Sequence, residues 1–409
     1  MAAHERIIVI GGGLAAARAV EGIRAAHWTG PVTVVTDEDR PPYERPPLSK
    51  GYLLGSEEAA ATIVHDADWY AQNDVDLRVG ETVTALHPAD HEVAIGDERL
   101  AYSKLLLTTG AEPRRFDGPG AGLTGVYHLR TLHDSTVLRT ALKDGGRRVV
   151  VIGAGWIGLE TAAAAREYGN EVTVIGRGEV PLASVLGTEL GGMFADLHRE
   201  HGVDVRMGSA VSALKGTRHV EAVVLGSGDE IAADIVIVGL GAVPRTELAA
   251  AASLHVDNGI VTDSSFRTSD RDIYAAGDVA NVYHPLLGHH LRVEHWETAR
   301  AAGFAAGRSL AGEAVEYDEI PYFFTDQYDL GMEYAGFGER TAGATLVYRG
   351  DRAAREFVVF WLRDSRVVAG MNVNVWDVNE QIRALIRSGD RVDPILLADA
   401  DIPLDAVVA

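Results

Sequence analysis

Ile7-Ile8-Val9-Ile10-Gly11-Gly12-Gly13-Leu14-Ala15-Ala16 sets four branched apolar residues directly before a glycine-rich turn and an alanine-rich run. Branched residues favour a buried strand, and alanines favour a helix. Glycines at such a junction permit a tight turn and a close backbone approach to a pyrophosphate, which the helix N-terminus attracts. The stretch reads as a strand over 6–10, a dinucleotide-binding turn and a helix over 14–26. Val149-Val150-Val151-Ile152-Gly153-Ala154-Gly155-Trp156-Ile157-Gly158 repeats the design. One such turn is a weak signal; two point to a chain that holds two dinucleotides.

Composition limits the chemistry. The chain has 409 residues, 47% hydrophobic and 23% charged, with a formal net charge of −22 and no cysteine. That length accommodates two or three domains. Zero cysteine excludes a redox-active disulfide, a thiolate nucleophile and a cysteine-ligated iron–sulfur cluster in this chain. The acidic balance argues against nucleic acid or an anionic membrane as a partner. No apolar run reaches the roughly 20 residues of a membrane span. The chain enters its first strand almost at once, so the expectation is a cytoplasmic protein without a signal peptide. The histidines, His289-His290 included, lack metal-site spacing; they are expected in surface loops, and no metal is expected.

Outward from the first turn, Val32-Thr33-Val34-Val35 reads as a second strand ending at Thr36-Asp37-Glu38, where an acid would meet a ribose hydroxyl. Arg40 to Lys50 is proline-dense and predicts a stiff, irregular strap that holds Arg45 and Lys50, or else an ordinary surface loop. Leu105-Leu106-Leu107-Thr108-Thr109-Gly110-Ala111-Glu112-Pro113-Arg114 is echoed by Ile235-Val236-Ile237-Val238-Gly239-Leu240-Gly241-Ala242-Val243-Pro244-Arg245. The second glycine turn lies between the echoes, as if one dinucleotide-binding domain were inserted into another. Tyr274-Ala275-Ala276-Gly277-Asp278 predicts a strand that presents Asp278 at its carboxyl end. From about residue 320 the texture changes to strand-like runs at 321–328, 357–362 and 367–370 and a helix near 377–388. The expected fold is α/β: two nested Rossmann-like domains, 1–112 with 244–319 and 113–243, followed by an α+β domain over 320–409.

The order of the first glycine turn, Arg45-Pro46-Pro47-Leu48-Ser49-Lys50, Thr108-Thr109-Gly110-Ala111, the second turn with Glu160, Tyr274-Ala275-Ala276-Gly277-Asp278-Val279 and Pro321-x-Phe323-x-x-Asp326-Gln327 resembles the oxygenase-coupled, FAD-dependent ferredoxin reductases. The resemblance spans essentially the whole chain and implies the glutathione-reductase-like arrangement of the nested folds. It implies FAD against Gly11, Gly13, Leu14 and Ala15, with Asp37 on the adenosine ribose and Glu38 as a near alternative. It further places Arg45, Lys50, Val83, Thr109, Gly110, Arg130, Gly277, Asp278 and Trp296 about the flavin nucleotide. NADH or NADPH would lie on Gly153, Gly155, Ile157, Gly158, Arg177 and Gly241. Glu160 would pair with Lys50 beside the nicotinamide, these two being the catalytic pair. A carboxylate in a helix's first turn is also favoured by the dipole without any ligand.

Two departures from the family stand out. The second ribose strand reads Val172-Thr173-Val174-Ile175-Gly176-Arg177-Gly178-Glu179, with glycine where an NAD site puts an acid. Arg177 suits a 2′-phosphate, whereas Glu179 could fold back to ribose hydroxyls, so NADH and NADPH both stay open. Tyr322 and Phe324 stand where the family often has tryptophan, between flavin edge and docking surface, or they simply pack a domain interface.

The implied reaction is hydride transfer from NAD(P)H to FAD, then single electrons to a [2Fe-2S] ferredoxin serving a cytochrome P450 or a Rieske oxygenase. The protein would be a monomer or weak homodimer. Arg340, Arg349, Arg352, Arg355, Arg363 and Arg366 would supply a basic docking patch on the C-terminal domain, or a solvated face. The alternatives are a rubredoxin or quinone reductase on the same fold and a redox-sensing NADH-binding flavoprotein resembling apoptosis-inducing factor.

Overall fold

In the computed structural model, which describes residues 5–408, the chain resolves into two units. Of the described residues, the first comprises those up to 45, 59–112 and 242–319; the second comprises 46–58, 113–241 and those from 320 on. Residues 46–58, assigned to the first domain by the sequence reading, cluster with the second unit.

The first unit is built on a parallel five-stranded sheet in the order Ile273–Ala275, Lys104–Leu107, Ile7–Ile10, Val32–Thr36, Val75–Val79. Ile7, Ile8, Val9 and Ile10 are all buried, as a central strand covered on both faces must be. Helix Leu14–Ala25 packs along helix Trp296–Leu310 through glycines. A Cβ on Gly303 would lie 2.5 Å from the Ala15 carbonyl oxygen, and one on Gly307 would collide with that of Ala19. The close approach leaves no room for larger residues.

The second unit repeats the plan with the order Asp204–Arg206, Glu171–Ile175, Arg148–Ile152, Ile235–Val238, Val126–Tyr127, again parallel. It also contains a five-stranded antiparallel sheet in the order Tyr322–Gln327, Leu330–Gly336, Arg366–Val373, Glu356–Arg363, Thr345–Asp351, with helix Asn379–Ser388 against it. One core joins the two sheets: Leu159, Val174 and Phe194 belong to the same apolar cluster as Met332, Tyr334 and Met371.

The expected elements are present, with three differences. The strap is partly ordered, as a 3-10 turn over Pro46–Ser49 and a short helix over Gly51–Leu54. Strands Leu330–Gly336 and Thr345–Asp351 were not anticipated; the first is buried on both faces and so shows no alternation. His289 and His290 lie on an exposed edge strand, His289–Leu291, not in a loop. Among the described residues no cluster of three or more metal-ligating side chains occurs, and no helix is long and apolar enough to cross a membrane.

Candidate functional site

The two glycine turns are superimposable in their bonding. Gly11 N–H donates to Val35 O and Gly153 N–H to Ile175 O, both at 2.8 Å. Thr108 N–H donates to Ile10 O and Gly239 N–H to Ile152 O, again at 2.8 Å. Gly11 and Gly153 have φ of +128° and +113°, and a Cβ on either would overlap the facing carbonyl, Thr108 or Gly239. A Cβ on Gly158 would overlap the Gly153 carbonyl. The fold itself requires these three glycines.

Gly13 and Gly155 are different. Their φ values, −94° and −88°, suit any residue, and a Cβ at either meets nothing within 4 Å. Packing within the protein does not account for glycine there; the close approach of a ligand would. Each is the N-cap of a 12-residue helix, Leu14–Ala25 or Trp156–Glu167, with no side-chain cap and no acid in the first turn. The positive helix ends are therefore presented to the open space. Leu14 and Ala15 are buried beneath the first cradle, whereas Ile157 at the second is 45% exposed.

In the first unit the predicted residues gather at the carboxyl ends of the parallel strands. Asp37 is exposed and pairs with Arg245 at 3.0 Å. Glu38 accepts from Tyr43 Oη at 2.6 Å and Arg45 at 2.8 Å. Burial pulls the Arg45 pKa down, but Tyr43, Glu38 and Asp278 outweigh it and leave it raised. Thr109 Oγ1 donates to Arg245 O at 2.7 Å, and Gly110 turns the chain at φ +68°. Gly277, at φ +77°, turns it again beyond strand Ile273–Ala275, placing Asp278 there. Val83 begins the strand Val83–His87, and Trp296 begins its helix with Arg300 over the ring at 5.8 Å. Arg130 and Gly241 belong to the second unit: Arg130 N–H donates to Asp134 at 3.1 Å, and Gly241 adopts φ +88°.

Glu160 is the buried centre of the second unit's polar cluster, 4% exposed. It is the fifth residue of its helix, not a first-turn carboxylate, so the dipole does not account for it. Three donors do: Lys50 Nζ at 2.7 Å, Thr325 Oγ1 at 2.6 Å and Ser49 Oγ. Gln327 Nε2 donates to Thr325 Oγ1 at 3.1 Å, leaving the threonine proton for Glu160. Gln327 Oε1 faces His198 Nε2 at 2.8 Å, which must then carry the proton. Tyr328 Oη supplies the other ring nitrogen at 3.3 Å. The result is a one-way donor chain, Tyr328 to His198 to Gln327 to Thr325, ending on Glu160. Such chains strengthen their own members in a low-dielectric interior. Ser49 lies within Arg45–Lys50 and Thr325 and Gln327 within Pro321–Gln327, motifs whose lysine and aromatics are their conspicuous chemistry; His198 and Tyr328 carry no sequence signal.

Lys50 also lies 5.2 Å from the centre of the Phe324 ring, and Tyr322 Oη donates to Glu333 at 2.7 Å. Burial raises the Asp326 pKa; Lys50 opposes the shift, and Glu160 and Glu333 add to it. Burial lowers that of His198 to about 4. Between the ordinary histidine value and 4 the unfolded chain binds the proton and the folded chain does not, so stability falls as pH drops through this window. From the shift alone the loss is about 2 kcal/mol at pH 5 relative to pH 7. Urea midpoints at the two pH values should show it in the wild type, and His198→Gln should lose about that much of the pH dependence.

The arginine-rich stretch is less basic than its composition suggests. Arg352 and Arg355 pair with Glu189 and Glu200 at 2.5 and 2.7 Å. Arg349, Arg363 and Arg366 donate to backbone carbonyls, and so keep their charge.

Two nested nucleotide cradles on parallel sheets, with an antiparallel C-terminal sheet, define a two-nucleotide flavoprotein reductase architecture. The chain belongs to the pyridine nucleotide-disulphide oxidoreductase family, whose model matches residues 5–303, and a reductase C-terminal model matches residues 322–408. It is 40% identical to the ferredoxin–NAD(+) reductase component of the anthranilate 1,2-dioxygenase system of Burkholderia cepacia, over 97% of this chain and 98% of that one. Among solved structures it matches the reductase of the covalent putidaredoxin reductase–putidaredoxin complex, with TM-score 0.93, 35% identity and 98% of each chain covered. The ferredoxin reductase for the CYP199A2 system from Rhodopseudomonas palustris matches with TM-score 0.94 and 32% identity, over 99% of this chain and all of that one.

Proposed function

We propose that this chain is an FAD-dependent NAD(P)H:ferredoxin reductase that feeds a [2Fe-2S] ferredoxin serving a cytochrome P450 or Rieske oxygenase. The observation that carries the reading is the pair of open cradles at Gly13 and Gly155, each backed by glycines the fold requires. The first fits FAD: Gly11, Gly13 and Ala15 would border its pyrophosphate, Asp37 its ribose, and Arg45, Val83, Asp278 and Trp296 the rest. Bound FAD supplies acceptance of a hydride and release of single electrons. The second cradle would hold NAD(P)H through Gly153, Gly155 and Gly158. The Lys50–Glu160 pair, pinned by Ser49 and Thr325, would orient the nicotinamide.

The family name refers to a disulphide, but this chain has no cysteine, so electrons cannot pass through one here. That favours delivery directly from flavin to a protein acceptor, as do the relatives named for ferredoxin reduction. A cytoplasmic location belongs to the same reading. The test is stopped-flow flavin reduction by reduced nicotinamide nucleotide, followed by cytochrome c reduction with and without an added [2Fe-2S] ferredoxin. Rapid bleaching of the flavin and ferredoxin-dependent cytochrome reduction are expected. Slow bleaching with a persistent charge-transfer band would instead identify a redox sensor.

A further inference from the structure

The molecule contains its own control for nucleotide choice, because the two glycine folds repeat the same backbone hydrogen bonds at their ribose ends. Gly11 N–H bonds Val35 O, and Gly153 N–H bonds Ile175 O, which aligns Val35 with Ile175. On the next strand, Glu81 N–H donates to Thr36 O and Ser209 N–H to Gly176 O, both at 2.9 Å. Gly80 N–H donates to Glu38 O and Gly208 N–H to Gly178 O, both at 2.8 Å. These bonds fix the correspondence: Thr36 with Gly176, Asp37 with Arg177, Glu38 with Gly178, and Glu81 with Ser209.

The three acids of the first fold have no counterpart in the second, and at one matched position the charge is reversed. The first fold carries Asp37, Glu38 and Glu81; the second carries Arg177, Gly178 and Ser209. A carboxylate at this strand end accepts from a ribose 2′-hydroxyl and repels a 2′-phosphate, whereas a guanidinium binds the phosphate through paired hydrogen bonds. Gly176 has no side chain to take the acid's role, and the space beside it is filled by the end of the Met207 side chain, whose Cε and Sδ would lie 2.5 and 2.8 Å from a Cβ. Arg177 is exposed, and among the described residues no carboxylate lies within ion-pair distance of it. Neighbouring Arg206 is taken by Asp204 at 2.7 Å. Glu179, exposed two residues beyond Arg177, is the one nearby carboxylate in sequence and corresponds to Asp39 of the first fold, outside the matched ribose positions.

We propose that the second nucleotide site selects the 2′-phosphorylated dinucleotide, NADPH, through Arg177 at the end of strand Glu171–Ile175. The proposal rests on the dinucleotide-binding reading of the Gly153–Gly158 turn. It is tested without turnover by titrating the flavin-loaded protein with 2′,5′-ADP and with 5′-AMP in a calorimeter. 2′,5′-ADP is expected to bind at least tenfold more tightly, and Arg177→Ala to remove that advantage while leaving 5′-AMP binding within twofold. Arg177→Asp, which copies Asp37, should turn the preference over. In turnover, kcat/KM should favour NADPH over NADH by at least tenfold. Equal binding of the two mononucleotides, or kcat/KM equal or higher for NADH, overturns the selection while leaving the reductase reading intact. Failure of both mononucleotides and both dinucleotides to bind overturns the site itself.

Discussion

Glu160→Leu is expected to slow flavin reduction by about 10²-fold while the protein still purifies with its flavin. The magnitude is that of a misplaced nicotinamide, for which displacement by about an ångström is enough. Leucine leaves Lys50 Nζ, 18% exposed, and the Ser49 and Thr325 hydroxyls without their shared acceptor. A mostly buried charge stripped of its hydrogen-bonded partner, with Asp326 as its remaining countercharge, destabilises by up to about 3 kcal/mol, so urea unfolding should move with the rate. Lys50→Met combined with Glu160→Leu removes the orphan and should recover most of the stability but none of the rate. That difference separates a positioning role from a merely structural one. Glu160→Gln keeps an acceptor and should fall between. A well-folded Glu160→Leu protein reducing its flavin within twofold of the wild-type rate would refute the assigned role.

How much of this was legible depended on sequence distance. The glycine turns announce themselves because every requirement is local: strand, turn and helix are contiguous, and the positive φ of Gly11 and Gly153 is a property of single residues. The echo of Leu105–Arg114 in Ile235–Arg245 marks where the chain passes from one compact unit to the other, whereas nothing local marks residues 46–58 as part of the second. The Lys50–Glu160 contact bridges 110 positions, and only the resemblance to the ferredoxin reductases pointed to it. The donor chain had no such marker. His198 and Gln327 are 129 positions apart, and a histidine within Phe194-Ala195-Asp196-Leu197-His198 reads as one more helix residue until the fold buries it. Strand Leu330–Gly336 was missed for the opposite reason: burial on both faces erased the alternation by which a strand is recognised. Composition shows the arginines of the C-terminal stretch but not which of them are paired: Arg352 and Arg355 meet Glu189 and Glu200, acids more than 150 positions away in sequence.

Alanine at Gly11 and at Gly13 should fail in different ways. Gly11→Ala forces a β-carbon into the Thr108 carbonyl at φ +128°, a region closed to ordinary residues. Strain and overlap together are expected to destabilise by about 3 kcal/mol or more, giving aggregated or flavin-free protein whatever the ligand. Gly13→Ala enters open space at φ −94° and ψ −178°, so the apoprotein should stay folded, with a loss of at most about 1 kcal/mol at the N-cap. Its methyl group would occupy the space through which a pyrophosphate approaches the backbone. Circular dichroism should be unchanged, while the ratio of flavin to protein absorbance falls to a small fraction of the wild-type value. Gly155→Ala is the mirror experiment: φ −88°, nothing within 4 Å, flavin retained, and the KM for the nicotinamide nucleotide raised by tenfold or more. A Gly13→Ala protein that purifies with stoichiometric FAD would show that the open space is incidental. The fold would then have two glycine turns in which only Gly11, Gly153 and Gly158 are constrained, all by packing within the protein, and nucleotide binding would have to be sought elsewhere.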